Sequence, residues 1–302
     1  MDKPWLAEYP VSLELAKNLI KKQFPDVGLE KVRQIGEGFD NTVIQLNEEY
    51  VFRFPRRPIA VTLIQVENKL LPSLAGNLPL AIPEPVFFGE PSSSYPYPFT
   101  GFKMVKGHLP VKETMESKIS SAIKFAHFLK VLHGFPVPTA KQLGVQPDGM
   151  RRLDVSFRQD SLDEQLLALV ALGYSEQAHA VSMYLKDLDA SYEGTCDTLV
   201  HGDIHVRNVL LDAQGVLMGI IDWGDVHIGH PAIDFSFLYS YFPKEARRSF
   251  FEIYGEIETE VKNLARFRAI YMLVRLLVYG IDRGDKELIS LTRTGLSLAM
   301  ED

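Results

Sequence analysis

Residues 201–208 are the most densely polar stretch of the chain and read His-Gly-Asp-Ile-His-Val-Arg-Asn. Two short apolar runs follow them, separated by a turn at 213–215, and this pattern predicts a β-hairpin. Asp222 comes directly after the second run. We therefore expect the hairpin to present Asp203, Asn208 and Asp222 at its two loop ends.

These three side chains suit phosphoryl transfer, a reaction that depends more on positioning and charge neutralisation than on covalent help from the protein. We expect Asp203 to orient an acceptor hydroxyl and take its proton. Asn208 and Asp222 supply the hard oxygen ligands that Mg²⁺ prefers and that histidines do not offer. Asn and Asp are also common turn formers, so each residue alone has a structural interpretation. The three together favour the catalytic one.

The first third of the chain is rich in short β-type runs. Before them, apolar residues at helical spacing predict a helix over 12–24, with Ser12 as its N-cap and Pro25 as its end. Strands are predicted at 32–35, 42–46, 50–54, 86–89 and 99–105, with a helix at 61–74 and a loop at 91–98.

From Glu113 onward the spacing is mostly helical, apart from short strands between 198 and 222. The tail after Pro231 is predicted to be helical, with breaks at Gly255 and at 280–284. The pattern therefore predicts an α+β fold, with a small β-rich lobe at 1–106 and a larger helical lobe at 107–302. A cleft between two such lobes is a common place for a small-molecule site.

The β-rich lobe contains a candidate phosphate-binding loop at 36–41, which reads Gly-Glu-Gly-Phe-Asp-Asn. It lies between two predicted strands, where backbone N–H groups can approach phosphates. Its two glycines fall short of the three-glycine pattern and also suit a plain hairpin. A cation on the third strand, paired with an acid on the next helix, would complete the site. The candidate nucleotide-binding residues here are Gly36, Gly38, Phe39, Asn41, Arg53 and Glu67.

Composition excludes several classes of protein. The net charge of the 302 residues is -7, which argues against a generic nucleic-acid binder. The lone cysteine, Cys196, excludes an internal disulfide framework and a thiolate-rich zinc site. The most apolar helical stretch, 269–281, is too short to span a bilayer and is interrupted by Arg275. We expect a cytoplasmic monomer with no nucleic-acid or membrane partner.

Residues 201–208, followed by Ile-Asp-Trp-Gly at 221–224, resemble the catalytic motif and metal-binding aspartate of the aminoglycoside phosphotransferases, relatives of protein and choline kinases. The resemblance implies a two-lobed protein-kinase-like fold, ATP or GTP as phosphoryl donor, and Mg²⁺ bound by Asn208 and Asp222. It also implies that the linker 103–106, through Met104 and Val105, contacts the purine. Further stretches in the expected order are 36–41, 50–57, Glu67, 101–107 and 231–235.

The chain departs from the family pattern at two positions. Arg53 stands where kinase relatives use lysine, and although arginine can clamp phosphate, Arg56 or Arg57 could compete for that role. Members often read Gly-Asp-Pro before the later aspartate, whereas this chain reads Gly-His-Pro at 229–231. The second departure leaves the role of position 230 open, and it does not affect the predicted metal site.

The resemblance favours an aminoglycoside as the acceptor that gains the phosphoryl group on a hydroxyl. A macrolide, choline or an amino sugar is the alternative acceptor on the same fold. Two alternatives come from other classes. One is a non-catalytic nucleotide-binding regulator, although the chain keeps Asp203, Asn208 and Asp222. The other is a metallohydrolase, with His201 and His205 joining Asp203 around a metal.

Overall fold

The computed structural model describes residues 8–37, 40–111, 113–190 and 197–301. They form two compact units. The first takes the described residues up to Lys106 together with the short segment Trp223–Asp225. The second takes Gly107–Asp222 and the residues from Val226 onward. Among the helices that are described, none combines the length and the apolarity that a bilayer-spanning segment needs.

The first unit is built on a five-stranded antiparallel sheet with strand order β1-β2-β3-β5-β4. Its strands and helices follow the predicted order, with ends shifted by a few residues. They are α1 (Leu13–Gln23), β1 (Val32–Glu37), β2 (Asn41–Leu46), β3 (Tyr50–Pro55), α2 (Pro58–Ala75), β4 (Glu84–Gly89) and β5 (Phe99–Lys103).

Local sequence signals explain where these elements begin and turn. The Ser12 hydroxyl accepts the Leu15 N–H at 3.1 Å and so caps α1, as predicted. The β2–β3 connection places Asn47 and Glu48 at φ +54° and +58°, the left-handed region that a tight hairpin needs. The Asn47 side chain also accepts the Lys31 N–H at 2.9 Å, which ties the turn to the start of β1.

Aromatic side chains form the core of the first unit. Phe52, Phe54 and Phe99 are fully buried, and the rings of Phe54 and Phe99 stack at 4.6 Å. Gly101 on β5 leaves room for this packing, because a Cβ there would lie 2.6 Å from the Phe52 ring. Such tight packing holds the sheet that carries the candidate nucleotide-binding residues.

The second unit is mainly helical, with two small two-stranded antiparallel sheets that pair β6 with β9 and β7 with β8. Its strands are β6 (Thr198–Val200), β7 (Val209–Leu211), β8 (Leu217–Ile220) and β9 (His227–Gly229). Its helices are α3 (Met115–His133), α4 (Val137–Gln142), α5 (Val155–Ala171), α6 (Ser175–Asp187), α7 (Ala232–Tyr241), α8 (Lys244–Tyr254), α9 (Thr259–Arg283) and α10 (Lys286–Met300).

The helical tail differs from the prediction at Gly280. This glycine does not break the chain: α9 continues through it and ends before Gly284, whose φ is +64°. Gly280 is buried where α9 meets α10, and a Cβ there would lie 3.3 Å from Ile289 Cγ1. The predicted break at Gly255 is confirmed, since it follows the last residue of α8.

Candidate active site

The β7–β8 hairpin brings Asn208 next to the segment that leads into Asp222. Val209 pairs with Ile220, and the Ile221 N–H donates to the Asn208 carbonyl at 2.9 Å. The loop that precedes β7 carries Asp203, and the residue that follows Ile221 is Asp222. The predicted hairpin is therefore present, and it gathers the three candidate side chains into one part of the second unit.

A histidine and an arginine flank the Asp203 carboxylate. Oδ2 lies 3.4 Å from His205 Nε2, and Oδ1 lies 4.0 Å from a terminal nitrogen of Arg268 on α9. Burial by itself would raise the pKa of Asp203, but His205, Arg268 and His201 outweigh it and hold that pKa well below its usual range. Asp203 is therefore ionised at neutral pH, with 23% of its side chain exposed to solvent.

Asn208 is held with its amide in one orientation. Its Nδ2 donates to the Asp203 carbonyl at 2.9 Å, and its backbone N–H donates to the His205 carbonyl at 2.8 Å. The residue is 6% exposed. Because the nitrogen is used inside the loop, the amide oxygen is the end of the side chain that suits a hard cation.

Asp234, at the start of α7, braces the loop that carries Asp203. Its two carboxylate oxygens accept the backbone N–H groups of His201 and Gly202, each at 2.9 Å. His133 on α3 adds a third partner at 3.3 Å from Nε2 to Oδ2. Burial would raise the pKa of Asp234, but these donors and the nearby histidines lower it. The charged carboxylate therefore fixes the backbone of the two residues that directly precede Asp203.

His201 completes this bracing. Its Nε2 lies 3.2 Å from the Ile221 carbonyl, and its Nδ1 lies 3.3 Å from the Asp203 backbone nitrogen. The ring therefore connects the loop before β7 with the chain after β8. In the described part of the chain, no group of three or more His, Cys, Asp or Glu side chains is placed to hold a metal ion.

Asp222 has a backbone φ of +65°, a conformation that aspartate tolerates better than most residues. Directly after it, Trp223–Asp225 forms a single 3-10 turn that belongs to the first unit and packs against α2. Asp222 and Asn208 offer a carboxylate and an amide oxygen, a donor pair of the kind that Mg²⁺ takes. This donor chemistry fits the metal that the family resemblance implies.

In the first unit, Arg53 and Glu67 form the predicted ion pair. Arg53 Nη1 lies 2.6 Å from Glu67 Oε2, and Glu67 is fully buried on α2. Gly224 lies beside the pair, because a Cβ at that position would be 3.7 Å from an atom of each partner. Arg57 instead pairs with Asp40 at 2.6 Å. The cation held by the α2 acid is thus Arg53.

Four of the remaining candidate nucleotide-binding residues lie on β1 and β2 or directly after β5. Gly36 pairs with Val43 after a register shift in β1, and Asn41 opens β2 as a buried residue. Gly38 and Phe39 lie outside the described residues. The Met104 N–H donates to the Glu49 carbonyl at 2.7 Å, and Val105 is buried. The Met104 amide is therefore already used within the sheet.

Sequence reasoning missed Arg268 and His133. Arg268 lies 65 positions after Asp203, and His133 lies 101 positions before Asp234. Neither residue belongs to a motif, and their contacts exist only because α9 and α3 pack around the loop. No signal in the sequence alone would have identified them.

The sequence matches the model of the phosphotransferase enzyme family over residues 31–270, so the chain belongs to that family. It has the family's kinase-like fold and is a small-molecule phosphotransferase. Among curated proteins it is similar to an uncharacterised protein of Bacillus subtilis, YcbJ, with 25% identity over 253 residues and 79% of each chain covered.

Solved structures show the same fold. One is the GDP and kanamycin complex of APH(2")-IIIa, with a TM-score of 0.71, 26% identity, and coverage of 95% of this chain and 98% of that one. Another is the apoenzyme of a macrolide 2'-phosphotransferase, MphH, from Brachybacterium faecium. It has a TM-score of 0.58, 18% identity, and coverage of 94% and 97%.

Proposed function

We propose that the protein transfers the γ-phosphoryl group of ATP or GTP to a hydroxyl of a small molecule, with Mg²⁺ as cofactor. The observation that carries this proposal is the loop and hairpin that gather Asp203, Asn208 and Asp222, with Asp203 held ionised by His205 and Arg268. An ionised carboxylate in this setting accepts a hydrogen bond from an acceptor hydroxyl and so orients it.

The low pKa of Asp203 defines how it acts. A carboxylate this weakly basic does not deprotonate an alcohol in the ground state. It positions the hydroxyl oxygen and takes the proton once the bond to phosphorus has begun to form and the hydroxyl has become acidic. In the loose transition state of phosphoryl transfer, positioning and electrostatics supply most of the rate.

The other candidate residues then have distinct roles. Asn208 and Asp222 would hold Mg²⁺, which neutralises charge on the phosphates when it is bound. Arg53, fixed by Glu67, would contact the phosphates. The loop 36–41, with Gly36, Gly38, Phe39 and Asn41, would cover them, and the linker at Met104 and Val105 would contact the purine.

Support for an aminoglycoside acceptor comes from the family resemblance and from APH(2")-IIIa, which binds GDP and kanamycin. A macrolide, choline or an amino sugar is the alternative. The first experiment therefore mixes the protein with Mg²⁺, ATP, GTP and a panel of these compounds, and uses mass spectrometry to find an acceptor that has gained a phosphoryl group.

The Asp203→Asn variant tests the catalytic assignment. We expect kcat to fall by about 10²–10⁴-fold, because the neutral amide cannot take the proton, while nucleotide binding stays within about twofold. The matched control is Asp197→Asn, because Asp197 is an exposed aspartate whose nearest cation, Lys141, lies 4.0 Å away. Removal of divalent cations with EDTA should abolish transfer, and Mg²⁺ should restore it.

Two results would overturn the proposal. Wild-type kcat in the Asp203→Asn variant would remove Asp203 from the reaction. Nucleotide binding without transfer to any panel member or to any component of a metabolite extract would instead favour the non-catalytic regulator.

A further inference from the structure

Arginine and tyrosine alternate along one face of α9, starting at the candidate catalytic residue. Arg268, Tyr271, Arg275 and Tyr279 are spaced by three, four and four residues, so they share one helix face. We call these four residues the Arg–Tyr stripe. Its first member is the arginine 4.0 Å from the Asp203 carboxylate.

Guanidinium groups from three elements converge on the two tyrosine rings of the stripe. Arg275 lies 5.6 Å from the centre of the Tyr271 ring, and Arg158 of α5 lies 5.5 Å from the same centre. Arg207, from the loop that holds Asp203 and Asn208, lies 5.3 Å from the centre of the Tyr279 ring. The aromatic faces hold the cations in place without neutralising them.

Arg158 and Arg275 place two positive charges beside the Tyr271 ring. Burial would raise the pKa of Tyr271, but a hydrogen bond with Ser161 and the charges of Arg275 and Arg158 lower it. Within the ranges that the structure describes, neither Arg158, Arg207 nor Arg275 has a carboxylate within ion-pair distance. Arg275 is exposed, and its positive charge is therefore accessible to a small molecule.

The positive charge of Arg275 affects which acceptors can bind. A hydroxyl that reaches Asp203 brings the rest of its molecule next to Arg268 and, two helical turns or about 10 Å further along α9, to Arg275. Ammonium groups of a polycationic antibiotic would meet guanidinium groups there and be repelled. A carboxylate or phosphate would instead meet the planar, multi-donor group that recognises such anions best.

We propose that the acceptor is an anionic hydroxyl compound, a hydroxy acid or a phosphate ester, and that the Arg–Tyr stripe binds its anion through Arg275. The proposal rests on the proposed phosphoryl transfer and selects an acceptor class that differs from the aminoglycosides. Arg275 begins about 10 Å from Arg268 along the helix, and its guanidinium lies 5.6 Å from the ring of Tyr271, which stands between the two arginines on α9. Arg158 donates to the Arg151 and Met150 carbonyls and to the Tyr271 hydroxyl, so it contributes positive charge from α5 and leaves binding of the anion to Arg275.

The test uses sugars that share one ring and differ in charge. Glucuronic acid, glucose 6-phosphate, glucose, glucosamine and kanamycin are each assayed for phosphoryl transfer. A metabolite extract, divided by ion exchange into anionic and non-anionic fractions, is assayed beside them with labelled ATP. We expect the highest kcat/KM, or the only labelled product, with the anionic compounds or fraction. The two acidic sugars distinguish a carboxylate from a phosphate.

The variant Arg275→Glu should raise KM for the anionic acceptor by about tenfold or more, change kcat less than twofold, and shift the preference toward amines. The matched control is Arg248→Glu on α8, an exposed arginine outside the stripe. Arg275 is exposed, so we expect both variants to fold, and circular dichroism verifies this.

The outcomes separate the two proposals. Transfer that favours kanamycin, glucosamine or the non-anionic fraction overturns the anionic acceptor and leaves the proposed phosphoryl transfer intact. An acid-to-amine ratio that is unchanged in Arg275→Glu removes the stripe from recognition. Absence of any transfer that depends on Asp203 overturns the proposed function itself, and this inference with it.

Discussion

The substitution Asp234→Asn isolates the buried carboxylate that braces the loop. Asparagine keeps one acceptor oxygen and replaces the other with an NH₂ group. Since the oxygens of Asp234 receive the N–H groups of His201 and Gly202, one of these donors would face another donor. The third partner, His133, would also lose the charge that it contacts.

The size of the effect follows from these contacts. A hydrogen bond to a charged group contributes about 1.5–3 kcal/mol, and a buried polar group left without a partner costs about 1–3 kcal/mol. Because one charge-assisted bond is lost and a second is weakened, we expect the free energy of unfolding to fall by about 3 kcal/mol. For a chain of this size, that corresponds to a decrease in Tm of roughly 5 °C.

Urea titration followed by circular dichroism measures the loss, with Asp282→Asn, a variant of an exposed aspartate, as the control. The pH dependence provides a second test. The pKa of Asp234 is lower in the folded protein than the unfolded value of about 3.9, so its ionised form stabilises the fold fully above that value. This contribution disappears as the pH falls through the lower, folded pKa. The difference between wild type and Asp234→Asn should therefore shrink in that acidic window. A difference below about 0.5 kcal/mol at neutral pH would refute the bracing role.

Two further substitutions test the first unit. Glu67→Gln should weaken nucleotide binding by about tenfold, or roughly 1.4 kcal/mol, because Arg53 loses the buried charge that fixes it. The control Glu48→Gln, in an exposed ion pair with Lys31, should leave the Kd from calorimetry unchanged. Equal nucleotide affinities of the wild type and Glu67→Gln would show that Glu67 does not position Arg53 for nucleotide binding. Gly101→Ala should destabilise the fold by about 1–3 kcal/mol, because its Cβ would overlap a buried phenylalanine ring, while Gly76→Ala, with nothing within 4 Å of the added Cβ, should leave Tm almost unchanged. An unchanged Tm in Gly101→Ala would show that the neighbouring rings shift to accommodate the added methyl group.

Local signals made much of the fold predictable. Ser12 caps α1, the Asn47 turn closes the β2–β3 hairpin, and the polar loop with its two apolar runs forms the β7–β8 hairpin. In each case the residues that determine the structure lie within a few positions of one another. The Arg53–Glu67 pair could also be predicted, because a strand followed directly by a helix limits where the acid can lie.

Features that depend on distant packing could not be predicted. The three-residue strand β9 exists because it pairs with β6, which ends 27 positions earlier, and it is too short to show a period. Gly280 was interpreted as a break because glycine favours turns, but its missing side chain lets α10 approach α9. The partners that set the charge state of Asp203 and Asp234 come from α9 and α3, and no motif marks them.

The 3-10 turn that follows Asp222 has a practical consequence for spectroscopy. Tryptophan occurs at only two positions, 5 and 223, and Trp223 is fully buried in that turn. In a Trp5→Phe protein, all tryptophan fluorescence would come from the residue bonded directly to the proposed metal ligand. The chain therefore carries its own emission probe one residue after the proposed metal ligand, and its response to Mg²⁺ and nucleotide can be recorded without attaching a dye.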